Sequence, residues 1–80
     1  MRVRVKYFAS FRDMTGKTEE TLDVPDGVTV EGFREHVKGL YEKIAKRGQV
    51  LVAVNGVFVP LETVVREGDD MAFFPPVSGG

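Results

Sequence analysis

Only one stretch of this chain repeats at helical period, and it limits what the remainder can build. Thr29 sits where an N-cap belongs, and Val30, Phe33, Val37, Leu40, Tyr41 and Ile44 recur at intervals of three and four. That spacing places all six on one stripe of a helix. Glu31, Glu35 and Lys38 decorate the outside, while Lys43, Lys46 and Arg47 suit the negative C-terminal end. Gly48 is placed to close the helix. Gly32 and Gly39 weaken it by about 1 kcal/mol each relative to alanine. A single amphipathic helix must bury its stripe, and the rest of the 80 residues offers strands for it to pack on.

Residues 2–8 alternate, with Val3, Val5 and Tyr7 on one face and Arg2, Arg4, Lys6 and Phe8 on the other. Phe8 is the oddity, an aromatic ring in the charged phase. Thr18 to Val24 alternates again, with Leu22 and Val24 as the inward residues, and Ala9 to Lys17 reads as the connecting loop. Pro25-Asp26-Gly27 ends that strand. Val50 to Val54 is a nearly continuous apolar run, which suits a strand covered on more than one side. Asn55-Gly56 is a tight hairpin signal, after which Val57-Phe58-Val59 returns as a brief strand. Pro60 to Glu67 lacks clean periodicity and reads as a turn or short helix under the core. Gly68-Asp69-Asp70 leads into a last strand, Met71 to Phe74, with Met71 and Phe73 on one face and Ala72 and Phe74 on the other. The expected architecture is an α+β roll: a mixed sheet of about five strands with one main helix packed on one face. Residues 1–80 make one domain.

Composition narrows the function. There is no cysteine, so disulfides, thiolate catalysis and cysteine metal sites are excluded, and His36 is the only histidine. Glu19 with Glu20, and Asp69 with Asp70, resemble catalytic pairs only on paper. Neighbours in a strand point to opposite faces, and the aspartates suit a turn. A net charge of −1 gives no reason to expect nucleic acid or an anionic membrane as partner. No run approaches the length of a membrane span, and Met1-Arg2-Val3-Arg4 lacks the apolar core of a signal peptide, so a cytoplasmic protein is expected. Acting alone, such a chain is poorly equipped as an enzyme.

The last residues, Phe73-Phe74-Pro75-Pro76-Val77-Ser78-Gly79-Gly80, run from an apolar strand through two prolines to two glycines. The prolines fix φ and remove two donors, so the ladder cannot continue and residues 75–80 should leave the sheet as an extended arm. Gly79 and Gly80 narrow the arm to bare backbone and leave the terminal carboxylate open. That shape suits insertion into a tunnel on another protein. Gly-Gly alone is weak: at about 7% glycine usage, about one chain in two hundred would end this way by chance.

The whole pattern resembles the β-grasp, or ubiquitin-like, proteins and within them the sulfur-carrier branch that includes the MoaD-like small subunits of molybdopterin synthase. Four pieces carry the resemblance: Val5-Lys6-Tyr7-Phe8-Ala9 with Phe11-Arg12, then Val52-Ala53-Val54-Asn55, Gly68-Asp69-Asp70, and the Phe-Phe-Pro-Pro-Val-Ser-Gly-Gly ending. The resemblance implies that the working group is the Gly80 carboxylate. An E1-like, MoeB-like activating enzyme uses ATP to adenylate it, and sulfur from a donor protein then gives a thiocarboxylate. The arm Pro75, Pro76, Val77, Ser78 and Gly79 enters a MoaE-like large subunit that holds the catalytic groups, and the sulfur passes to cyclic pyranopterin monophosphate. The small subunit itself would bind no cofactor and no metal.

The resemblance also implies a partner-binding patch at Phe8, Phe58 and Phe74. A second small core beneath a loop is the alternative for these rings. Arg12 pairs with an acidic group on a partner in the same reading, or is an ordinary solvated arginine. The tail alone leaves room for a carrier in another pathway (thiamine, tRNA thiolation or a tungsten cofactor) and for a protein modifier joined to lysines.

Overall fold

The computed structural model describes residues 1–76. Four strands and three helices appear in the order β1 (Arg2–Tyr7), α1 (Ser10–Thr15), β2 (Glu19–Asp23), α2 (Val30–Leu40), α3 (Glu42–Ala45), β3 (Leu51–Val54) and β4 (Asp70–Phe74). The strands form one mixed sheet in the order β2-β1-β4-β3, with β1 and β4 parallel and the two outer pairs antiparallel. The helices lie against one face, which is the α+β roll expected.

Alternation in the sequence becomes two chemically different faces. Val3, Val5, Tyr7, Met71, Phe73 and Val52 point inward and are buried. The helix stripe meets them through Val30, Phe33, Val37 and Ile44, each fully buried. Full burial of such side chains contributes about 1.5–3 kcal/mol apiece. Phe73 is the hub, in edge-to-face contact with Tyr7 at 6.2 Å and Phe33 at 5.9 Å between ring centroids. Thr29 caps α2 as expected, its hydroxyl oxygen accepting from the Gly32 N–H at 3.1 Å. A Cβ on Gly32 would stand 2.9 Å from a Val28 methyl, so this glycine permits the close approach. Gly39 faces open space.

Three expectations are corrected. The sheet has four strands among the described residues, because Val57-Phe58-Val59 contributes only an isolated bridge between Val54 and Val57. Asn55 and Gly56 turn the chain tightly at φ 51° and 82°, but Pro60 brings no N–H to extend a ladder. The Ala9–Lys17 loop contains a helix, α1, anchored by the fully buried Phe11 and closed where the Gly16 N–H reaches the Arg12 carbonyl at 2.8 Å. The main helix breaks at Tyr41, whose extended backbone (φ −130°, ψ 98°) ends α2 and starts α3. The break carries Ile44 into the core and leaves Leu40 about half exposed, off the stripe.

Candidate functional site

The candidate site is on the outer face of the sheet. Strand β1 projects Arg4 and Lys6 outward and ends beside Phe8, while β4 projects Asp70, Ala72 and Phe74. Pairing of Tyr7 with Phe73 in the parallel ladder brings the next residues together. The Phe8 N–H donates to the Phe73 carbonyl at 3.0 Å, and the Phe8 and Phe74 rings meet edge to face at 5.7 Å. Phe58 reaches the same ring from beyond the Asn55-Gly56 turn, at 5.6 Å and 89°. Phe74 is therefore the centre of a continuous aromatic trio. Phe8 is 44% and Phe58 65% exposed, and Phe74 is half-buried between them.

Beside the patch lies a recess of about 400 Å³ lined by Lys6, Phe8, Asn55, Gly56, Asp70, Met71 and Ala72. Its rim is held by turn chemistry. The Asn55 side chain accepts from the Asp70 N–H at 2.9 Å and donates to the Asp69 carboxylate at 3.1 Å, and the Asn55 N–H reaches the Asp70 carbonyl at 2.8 Å. Asp69 also accepts from the Arg66 N–H at 2.8 Å, the turn-forming role expected of it. Asp70 stands 3.7 Å from the Arg4 guanidinium.

Pro75 and Pro76 follow Phe74 directly and are half-buried, so the chain leaves β4 at the edge of the patch. Val77, Ser78, Gly79 and Gly80 lie outside the described residues. Arg12 is exposed on α1 with no ion pair among the described residues. His36 is exposed on α2. Among the described residues there is no group of three or more His, Cys, Asp or Glu side chains that could hold a metal, and no helix long and apolar enough to cross a membrane.

Glu20 has a structural role that its place beside Glu19 in the sequence does not reveal. It sits on the inward phase of β2 opposite Val5, so its carboxylate faces the helices. One oxygen accepts from both the Tyr7 and Tyr41 hydroxyls at 2.6 Å, and the other from the Lys17 ammonium at 2.9 Å. Burial pushes the Glu20 carboxyl up, but the hydrogen bonds from Tyr41, Tyr7 and Lys17 outweigh it and hold its pKa below the ordinary value. Burial first, and then the bond to Glu20, drive the Tyr7 hydroxyl well above its usual range. Lys17 is raised chiefly by its hydrogen bond to Glu20. The cluster ties the β1–β2 hairpin to the helix break at Tyr41. A carboxylate at an inward position beside two tyrosines at hydrophobic positions was the available signal.

A scan against protein families matches the ThiS family model over residues 5–80. The molybdopterin synthase sulfur carrier subunit of Haemophilus influenzae is 41% identical, with 98% of this chain and 99% of that protein aligned. Among solved structures, the putative molybdopterin converting factor subunit 1 of Pyrococcus furiosus superposes with a TM-score of 0.87 at 35% identity, covering 96% of this chain and 99% of that one. SAMP1 of Haloferax volcanii gives 0.86 at 27% identity over the full length of both chains. Fold and length agree with these β-grasp proteins along the chain, which belongs to the ThiS family.

Proposed function

We propose that this chain is a sulfur-carrier subunit of molybdopterin synthase whose working group is its own C-terminal carboxylate. One observation carries the reading: the exposed Phe8–Phe74–Phe58 patch stands at the root of an arm that ends Pro-Pro-Val-Ser-Gly-Gly. A patch with aromatic rings at its centre is what an interface core holds. The name of the Haemophilus relative points to the same role. In this reading the chain supplies a reacting group and a docking surface, while ATP and the catalytic side chains belong to its partners.

Gly80 is the residue acted on. Its carboxylate is a poor acyl donor, and adenylation by an E1-like, MoeB-like enzyme makes it a good one. Sulfur from a donor protein then displaces the nucleotide, giving the thiocarboxylate. Pro75, Pro76, Val77, Ser78 and Gly79 thread into a MoaE-like large subunit, where the sulfur passes to cyclic pyranopterin monophosphate. Phe8, Phe58 and Phe74 dock against these partners, and Arg12 pairs with an acidic group on one of them. The chain works in the cytoplasm, where ATP and the activating enzyme are available.

Intact-mass measurement after incubation with ATP, an activating enzyme and a sulfide source tests the proposal. The expected product carries one sulfur in place of one oxygen, and deleting Gly80 abolishes it. No mass change with a competent enzyme would refute carrier chemistry. A second reading, a protein modifier, is favoured by the likeness to SAMP1, described as a small archaeal modifier protein. Isopeptide-linked products of this chain in cell extract would mark that activity.

A further inference from the structure

Two residues other than glycine have positive φ among the described residues: Asn55 at 51° and Ala9 at 53°. Asn55 is accounted for, since asparagine tolerates the left-handed region and its side chain bonds both Asp69 and Asp70. Ala9 has no such support. Its ψ of −133° puts it in the conformation of the first central residue of a type II′ turn, a position glycine dominates. A turn does form there: the Phe11 N–H donates to the Phe8 carbonyl at 3.1 Å. Ala9 is exposed, so no burial of its methyl group offsets the strain. Strain of this kind persists only where the surroundings impose it, and it gathers at functional positions.

The anchors are visible. Tyr7 is buried at the end of β1 and Phe11 is buried in α1, so the three residues between them must reverse the chain while both rings stay in the core. The residue before Ala9, Phe8, belongs to the aromatic patch, in contact with Phe74. Arg12 is tied to Ala9 directly, donating its N–H to the Ala9 carbonyl at 3.1 Å.

We propose that Ala9 is a positioning residue for partner docking, holding Phe8 in one fixed position beside Phe74 at a cost to the stability of the free chain. The inference rests on the carrier reading above. With both flanking rings anchored, alanine leaves this turn few alternative wells, whereas glycine would open several. A preorganised Phe8 then binds without first being ordered.

Ala9→Gly separates the two effects, because glycine adopts the observed backbone without strain. The expected result is a melting temperature about 2–10 °C higher, the relief of strain exceeding the extra freedom of the unfolded chain. The KM for this chain in thiocarboxylate formation should rise about two- to fivefold at unchanged kcat. In a Phe8→Ala background the KM effect should vanish while the thermal gain remains, since Ala9 acts through Phe8. A lower melting temperature, an unchanged KM, a change confined to kcat, or an undiminished KM effect beside Phe8→Ala would each overturn the inference. Wild-type chain that is never loaded with sulfur sinks the carrier reading and this inference together. Normal loading with an indifferent Ala9→Gly sinks this inference alone.

Discussion

Replacing Glu20 tests how the helix layer is fastened to the sheet. Its carboxylate accepts two tyrosine hydroxyls at 2.6 Å and one ammonium at 2.9 Å. Hydrogen bonds to a charged group contribute about 1.5–3 kcal/mol each, and the larger share belongs to Tyr7, whose hydroxyl loses its acceptor inside the core. Tyr41 is half-buried and can turn its hydroxyl to water, so its loss is smaller. Removing the carboxylate also recovers part of its own desolvation cost. The net expectation for Glu20→Ala is a loss of about 2–3 kcal/mol, which in a domain of this size lowers the melting temperature by about 8–24 °C.

The pH dependence gives the sharper test. Glu20 has a depressed folded pKa, so its contribution is present above the unfolded carboxylate value of about 4.3 and fades as pH falls through the folded value. Tyr7 and Lys17 are raised, so theirs is present below about 10 and fades as pH climbs beyond it. Urea unfolding from acid to alkaline pH should show a plateau between these limits, with a shallower acid limb in Glu20→Gln. A loss under about 0.5 kcal/mol in Glu20→Ala, or an acid limb in Glu20→Gln parallel to wild type, would show that the cluster fastens nothing.

The outer face should respond in the opposite sense. Phe74→Ala removes the ring that touches both Phe8 and Phe58, and should weaken partner binding about 30-fold while costing about 1 kcal/mol of stability or less; unchanged affinity with a large loss of stability would assign Phe74 to the core. Asn55→Ala combines an unfavourable positive φ with the loss of two side-chain bonds, so unfolding in urea should show about 1–3 kcal/mol lost. Deleting Gly80 should abolish sulfur loading by intact mass and shift the melting temperature by less than about 2 °C, since the anchored core residues all precede it.

Much of this was legible in the sequence because period-two and period-three-to-four spacing is set by one residue's burial at a time. Val3, Val5 and Tyr7, or Phe33 and Val37, declare their faces independently of any distant partner. The adjacency of Phe8 and Phe74 followed from the β-grasp resemblance, since no local pattern says which strands are neighbours. What escaped was decided by long-range packing. Helix α1 spans six residues, too few to show a period, and its existence depends on Phe11 finding the core. Leu40 continues the helical spacing, but the break at Tyr41 redirects the chain, and that residue is held by Glu20, distant in sequence. Val57-Phe58-Val59 has strand composition but lies between a tight turn and Pro60, so only one residue finds a bridge.

The two faces of β1 and β4 also show what a docking surface made of strand residues demands. Tyr7 and Phe73 are core, and the residues that follow them, Phe8 and Phe74, meet in the outer aromatic patch. A slip of β4 by one residue would exchange Phe73 for Phe74, emptying the core and burying the centre of the patch in one step. The residues that prevent the slip are polar. Asn55 grips Asp69 and Asp70 at the start of β4, and Arg4 stands opposite Asp70 in the parallel ladder. At the far end Pro75 cannot donate to a ladder, so β4 has no rung to shift into. These groups decide which phenylalanine belongs to the core and which to the patch. Substitutions at Asn55 should therefore impair partner binding beyond what the loss of stability alone accounts for.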